Sequence, residues 1–474
     1  MASNSDIQNL IPEGCRYQYN AKGKCFYVFK STYYYDRTVK RSKEKRVSVG
    51  VVRDGKFTYA KRYLLEQQFL EQSKAKTQKS EKQSATAMGR KVIESAEKKV
   101  VDNRQRGKVI YPIGYVYLVA LLSSLSGQSS CVQIADYWKN HRETLESIFE
   151  DFPKEDISHD TVRRVLMLVE PEQMKAFYDI VVTPLIEKTG LRIVSADGQA
   201  VRASKTTKLK SGKYILSFYD SDNGVVLGQK LIGEKENEIT HAATMAEMLD
   251  LDGTVVTADA LNTQTKFAKT LIDRGADYCL ALKDNHKTLF IDCQLAFLDP
   301  TEQRTQIAEK VELDHGRIET RTISVLPGTA VDKKHFASWI GLEEGTIVKA
   351  TTSVINKKTG KESSMDRFFI SSLRWDNPEI VSQLERAVRR HWAVENDLHY
   401  VLDVDFNQDR TQCKNANYLH NRVLMNKLSV AIINKWREMP EFKNLTEKVS
   451  RKRIMCKLQI PTVGLRALDD VLGK

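Results

Sequence analysis

The chain has 474 residues, a formal net charge of +13 and 41% hydrophobic residues, enough for two to four domains and ordinary for a soluble globular protein. Its longest apolar stretch, Val116 to Leu125, falls short of the roughly 20 residues that span a bilayer. The polar N-terminus, Met1 to Ile11, does not fit a secretory signal. The expected setting is cytoplasmic, bacterial and nucleoid-associated, with no membrane partner. The seven cysteines, Cys15, Cys25, Cys131, Cys279, Cys293, Cys413 and Cys456, form no Cys-x-x-Cys pair, which argues against a disulfide framework and a zinc ribbon.

The charge is uneven. Residues 1–110 carry 25 Lys plus Arg against 11 Asp plus Glu, an excess of +14, so the other 364 residues sum to −1. That is the footprint of a phosphate-binding module, whose affinity depends on salt through counterion release; the alternative is a solvated basic tail. Residues 1–60 read as a basic, β-rich DNA-binding module. Cys25 to Tyr35 is dense in Phe, Tyr and Val, and Val47–Val52 reaches Lys56–Tyr59 through Asp54-Gly55, a hairpin signal. Between the β runs, Arg37 to Arg46 reads as a basic loop flanked by Tyr33, Tyr34 and Tyr35. Its Lys40, Arg41, Lys43, Lys45 and Arg46 are candidates for DNA phosphates, contacts that position a duplex without reading its sequence.

Residues 61–111 read as a charged helical linker, either a helix broken around Ser80 to Gly89 or a flexible segment. Residues 112–190 form a helical domain with helices at Val116–Ser126, Val132–Phe149, Asp160–Val169 and Pro171–Lys188, the third capped by Ser158. Packing and DNA positioning are both open roles for it. Residues 191–290 then alternate: an acidic strand, strands Tyr214–Tyr219 and Val225–Ile232, helix Glu238–Leu249, a second acidic strand, helix Gln264–Arg274 and strand Tyr278–Leu282. That order is the order of an RNase H-like fold. Residues 291–373 are too long for an ordinary connection and contain β-rich runs at Thr320–Leu326, Thr346–Ile355 and Phe368–Leu373, so an inserted β subdomain is expected. The core resumes over 374–436, and 437–474 reads as a basic C-terminal tail.

The chemistry lies in three acids. Ile193-Val194-Ser195-Ala196-Asp197-Gly198 and Val255-Val256-Thr257-Ala258-Asp259-Ala260 are near-copies, each a buried-strand pattern ending in an acid. Paired strands lie about 4.8 Å apart, so both carboxylates would emerge at one sheet edge, where ligands of open α/β sheets bind. Glu395 sits far downstream on a helix within Arg389-Arg390-His391-Trp392-Ala393-Val394-Glu395-Asn396. Carboxylates there suit magnesium, a hard ion usually held by one or two of them with water and substrate phosphate completing its shell, and a pair of ions roughly 3.5–4 Å apart suits in-line phosphodiester attack. For either aspartate alone, the bland reading is a turn cap after a strand. His391 and His399 flank Glu395 at four-residue spacing but would stand about 12 Å apart along a helix, too far to clasp one ion with it; assisting Glu395, binding the scissile phosphate and packing are all open to them. Lys283 and Asn285, and His315, Arg317 and Arg321, are candidates for the DNA backbone, with a solvated basic residue as the alternative. Trp339 and Trp392 read as core, with stacking on a displaced base as the alternative.

These pieces resemble the H-repeat-associated (ISAs-type) transposases, DDE recombinases with a β-strand insertion before the glutamate. The resemblance rests on Ile157 to Val165, Ala196-Asp197-Gly198-Gln199, Ala258 to Gln264, Ala281-Leu282-Lys283, His315-Gly316-Arg317-Ile318-Glu319 and His391 to Asn396, and covers roughly residues 112–435. It implies an α/β fold: an RNase H-like catalytic core interrupted by a β-rich insertion, preceded by a small β module and a helical domain. It also implies Asp197, Asp259 and Glu395 as catalytic ligands of two Mg²⁺ ions, with Mn²⁺ as a substitute. The activity implied is cleavage at terminal repeats of double-stranded DNA and joining to target DNA, by a homodimer on DNA. Where many β-insertion transposases carry Tyr, Arg and Lys around the glutamate, this chain has Val388, His391 and Leu402, so phosphate contacts are assigned instead to Arg389, Arg390 or Lys427. The alternatives are a metal-dependent nuclease without strand transfer and a catalytically silent DNA-binding protein.

Overall fold

The computed structural model describes residues 4–36, 41–205, 212–233, 238–302, 304–314, 316–411, 415–443 and 449–473. The chain divides into two compact units, Met1–Ser84 and Ala85–Lys474. In the first, β1 (Arg16–Asn20), β2 (Cys25–Asp36), β3 (Arg41–Arg53) and β4 (Lys56–Tyr59) form an antiparallel sheet in chain order. Val28, Val49 and Val52 are buried with Ile7, Ile11 and Cys15, the β2–β3 register shifting between Val28 and Phe29 so that Val49 and Val52, three apart, share one core. Asp54 (φ 51°) and Gly55 (φ 71°) make the β3–β4 turn, the positive-φ pair that matches strand twist. The basic loop is corrected: Arg41 to Arg46 are the start of β3, with Arg41 opposite Asp36 and Lys43 opposite Tyr34. The tyrosine run favours strand and draws the basic segment into the ladder. Lys40 lies outside the described residues, as do the side chains of Arg41, Lys43 and Lys45. Arg46 packs its guanidinium 4.5 Å from the Phe29 ring centre and bonds Glu44 and Gln18.

The helix Lys61–Lys99 is continuous through the Ser80–Gly89 stretch where a break was an option. The second unit is built on one nine-stranded mixed sheet. Its strands are β5 (Arg192–Val201), β6 (Lys213–Asp220), β7 (Val225–Ile232), β8 (Thr254–Ala258), β9 (Asp277–Leu282), β10 (Gln306–Asp314), β11 (Arg317–Pro327), β12 (Thr346–Asn356) and β13 (Glu362–Ser371). They stand in the order β10-β11-β12-β13-β9-β8-β5-β6-β7. β5, β8 and β9 run parallel and the other pairings are antiparallel. The segment expected as a separate β subdomain is therefore more of the same sheet: β13 joins β9 from Phe368↔Leu282 to Ser371↔Cys279, which covers an edge that would otherwise expose unpaired backbone. β10 and the helix Lys287–Leu298 escaped the sequence reading. The apolar residues of β10, Ile307, Val311 and Leu313, are solvent-exposed, so its pattern carries no core signal.

One sheet face is covered by helices Glu238–Met248, Thr265–Asp273 and Lys287–Leu298, through Ala242, Phe267, Leu271 and Cys293 among others. The opposite face takes Ile380–His391, whose Ile380, Leu384 and Ala387, one helical stripe, are buried with Ile193, Val255, Cys279 and Phe369. Each large apolar side chain so buried contributes about 1.5–3 kcal/mol. A third core gathers Ala85 to Leu185 with 393–472. It is centred on Ile113–Leu125, a helix buried all round, and on Ala416–Arg437, capped by Asn415. The segment 437–474 is thus corrected from tail to core: Ile454, Leu458, Leu465 and Leu468 on helices Arg451–Lys457 and Pro461–Leu472 are fully buried. Among the described residues no helix is long and apolar enough to cross a membrane.

Candidate active site

β5 and β8 pair from Arg192↔Thr254 to Ala196↔Ala258, so Asp197 and Asp259 follow the last matched pair on adjacent strands. Asp259 leaves the end of β8 as expected, but Asp197 is inside β5, because β6 keeps pairing beyond it, with Asp197 opposite Ser217. Asp197 therefore stands where β5 loses one neighbour and keeps the other. Both acids are half-buried. Gly198 is required beside Asp197: a Cβ there would lie 1.9 Å from Cε1 of Tyr214, whose ring crosses β5. Asp259 Oδ1 accepts from the backbone N–H and the amide of Asn262, each at 3.2 Å. The same loop is tied down by Thr263 Oγ1 donating to Ala281 O (2.6 Å), by the Asn285 amide donating to Ala260 O and by His286 Nε2 at 2.7 Å from Thr263 O.

The helix bearing Glu395 is not one regular helix. It is α-helical to His391, then forms a π turn over Val394–His399 before Tyr400–Asp405 resumes the α form. π turns inside helices mark functional sites often enough to be noted. Here Val394 and Leu398 are buried while Glu395 is exposed. The repeated strand pattern also places a hydroxyl two residues before each acid, on the same face. His391 Nδ1 lies 3.1 Å from Thr257 Oγ1, which donates to Ser195 Oγ at 3.1 Å, and Ser195 reaches Arg390 O at 3.4 Å. His399 Nδ1 is 3.5 Å from Asp197 Oδ2, with only 12% of its side chain exposed. Burial pushes His391 down to about 4, against the pull of Asp259, and His399 down to about 3, with Lys427 adding to the fall. Both imidazoles are neutral at pH 7, so the contact with Asp197 is dipolar rather than ionic. His399 Nε2 is buried and has no partner among the described residues.

The other candidates fall into three groups. Lys283 and Arg317 are exposed, as is the backbone-bonded Asn285. Arg389 is paired with Glu312 at 2.9 Å, Arg390 lies 3.6 Å from Asp222, and Arg321 is bound to Glu312 and Glu319. His391 and His399 face inward. His315 lies outside the described residues. Lys427, a suggested phosphate contact, is corrected: it is 2% exposed and donates to Ser217 Oγ at 2.6 Å. Trp339 is core, but Trp392 is 37% exposed and carries the Arg367 guanidinium 4.5 Å from its ring centre. Arg367 was missed because a lone arginine in a β run carries no signal until β13 is placed. A cavity of about 570 Å³ beside Arg390 and Asp397 includes none of the three acids.

Among the described residues no group of three or more His, Cys, Asp or Glu side chains is close enough to hold one metal ion, so Glu395 is not gathered with the two aspartates. The donor set still suits magnesium. Asp197 and Asp259 offer hard oxygen ligands on neighbouring strands, the adjoining histidines are neutral, and magnesium needs only one or two protein carboxylates when phosphate and water supply the rest.

The transposase DDE domain family matches residues 185–432, and a family described as DDE_Tnp_1-associated matches residues 98–179. Among curated proteins, the chain is 28% identical over 321 residues to "Putative transposase YncI" of Escherichia coli O157:H7, covering 67% of this chain and 81% of that protein. It is 27% identical over 326 residues to "H repeat-associated putative transposase YhhI" of Escherichia coli K12, covering 67% and 84%. It is 29% identical over 266 residues to an uncharacterized protein in the dhlA 3′ region of Xanthobacter autotrophicus, covering 56% and 88%.

Proposed function

The chain belongs to the H-repeat-associated DDE transposases, and from that premise we propose that it binds the terminal repeats of its own element, cuts phosphodiester bonds there and joins the freed 3′ ends to target DNA. The observation that carries this reading is the register of β5 and β8, which delivers Asp197 and Asp259 side by side on one sheet face. The strand order β7-β6-β5-β8-β9, with the first three antiparallel and the last two parallel to β5, supports an RNase H-like core whose sheet is extended by β10–β13.

In this reading Asp197 and Asp259 hold the metal and Glu395 completes the site when DNA is engaged. A divalent ion, when bound, activates the attacking oxygen and stabilises the leaving one. Two Mg²⁺ ions, replaceable by Mn²⁺, fit that role. The chain's own residues orient the acids. Asn262 holds the Asp259 carboxylate, His399 borders Asp197, and the His391–Thr257–Ser195 chain fastens the Glu395 segment to both strands. The N-terminal unit, with most of the chain's basic excess, supplies salt-dependent affinity for the duplex, and cutting two ends calls for a homodimer on DNA.

The test is to incubate full-length protein with magnesium and end-labelled duplex carrying the DNA that flanks its gene, beside Asp259→Asn. Joined products from the wild type alone are expected. Nicks without joining would reduce the function to a nuclease, and binding with no cutting would make it a silent DNA-binding protein.

A further inference from the structure

The arginines of the helix that leads to Glu395 are answered by acids. Arg386 is 2.7 Å and Arg390 is 3.6 Å from Asp222, and Arg389 is 2.9 Å from Glu312. Arg367 has no carboxylate partner among the described residues; its recorded contact is the Trp392 ring, 4.5 Å from the centroid. Its place in the sheet is specific. β13 pairs with β9 up to Phe368↔Leu282, so Arg367 lies one residue beyond that pairing, at the end of the sheet where β8 releases Asp259. Side chains alternate along strands. Following the matched positions Ala258↔Leu280 and Leu280↔Ile370, the residues that share a face with Asp259 are Ala281, Phe369 and Arg367. That face also carries Thr257 and lies under the Ile380–His391 helix. His391, hydrogen-bonded to Thr257, feels the charges of both Asp259 and Arg367.

We propose that Arg367, held over the Trp392 ring, binds a backbone phosphate of the DNA strand lying at Asp197 and Asp259. A guanidinium is weakly hydrated, stacks on an aromatic face and offers a planar fork that fits two phosphate oxygens. Stacking on Trp392 holds that fork in place before DNA arrives. Asp366, the adjacent acid, points to the opposite sheet face by the same alternation and is bound there by Lys349 and Thr351 Oγ1, so it does not neutralise the guanidinium. The contact sets the strand against the acids, so Arg367 is a substrate-binding residue of the site.

The inference rests on the DNA-cutting reading, and its test separates the two. Binding of full-length protein to a duplex of the DNA flanking its gene is measured against salt with no divalent ion present, so no cutting is needed. Wild type is compared with Arg367→Gln and Arg367→Lys, each checked by thermal unfolding. Losing one phosphate contact lowers the slope of log affinity against log salt by about 0.9. Arg367→Gln is expected to show that loss with about tenfold weaker binding, while Arg367→Lys keeps the slope. A wild-type slope and affinity in Arg367→Gln would overturn the proposal. So would a lysine variant with the glutamine variant's slope, because it would mark the residue as structural. Wild-type protein that binds here but never cuts once magnesium is supplied would defeat the DNA-cutting reading and leave this result readable.

Discussion

Asp197 and Asp259 stand on strands paired on both sides up to Ala196 and Ala258, half-buried and fastened by neighbouring hydrogen bonds. Glu395 stands four residues past the end of the Ile380–His391 helix, in a π turn, with its side chain in solvent. Two acids of the proposed triad are thus set at the ends of paired strands, while the third projects into solvent from an irregular helical turn. A rigid platform pays off where two like charges must be held together for a metal. An irregular turn suits a residue that meets the site only when substrate is in place, and π turns are the kind of helix irregularity found at such positions.

Exchanges of carboxylate length sharpen that comparison most. Adding a methylene at Asp259 moves the oxygens away from Asn262 within a loop tied down by hydrogen bonds, whereas shortening Glu395 alters an exposed side chain on the π turn. Asp259→Glu is expected to lower the magnesium-dependent cleavage rate by about 10²-fold and Glu395→Asp by about 10-fold, a gap of about 1.4 kcal/mol in transition-state stabilisation. Equal losses in the two rate measurements would erase the distinction.

The buried lysine on the Asp197 side of β6 makes a second prediction. Burial lowers the Lys427 amine to about 7, below its value in the unfolded chain. Between pH 7 and 10 the unfolded chain therefore binds the extra proton, and stability rises with pH at up to about 1.4 kcal/mol per unit from this group. Below pH 7 both states are protonated and the contribution is flat, with the folded state bearing the full penalty. Denaturant unfolding of Lys427→Met should be less pH-dependent than wild type across that window; parallel curves would mean that the amine is solvated in the native protein.

A smaller effect is expected at Gly198. Alanine there forces Tyr214 aside, and overpacking of this kind costs about 1–3 kcal/mol. Calorimetry should show a lower Tm, with cleavage falling further than stability alone explains because Asp197 is the next residue. An unchanged Tm would show that the ring moves freely.

The two sheet strands that carry the aspartates were legible in the sequence because their signal is local: Ile193–Ala196 and Val255–Ala258 are buried runs, apolar but for one hydroxyl each, and their repetition pointed to pairing. The helices at Glu238–Met248 and Thr265–Asp273 were readable from spacing alone. What stayed hidden depends on distant neighbours. The π turn follows from how Val394 and Leu398 dock, not from helix propensity. β10 has an exposed apolar pattern, and the extension of the sheet through β13 depends on pairing Phe368 with Leu282, 86 residues earlier. The role of Ser195 and Thr257 could have been suspected, since the near-copies share a hydroxyl residue two before the acid. Arg367 became visible only when the register put it on the same face as Asp259.

The most direct test of the central claim is cleavage and joining of a plasmid that carries the DNA flanking this gene, comparing wild type with Glu395→Gln in magnesium. The account predicts joined products from the wild type, none from the mutant and equal binding by both. Cleavage by Glu395→Gln at the wild-type rate would contradict it.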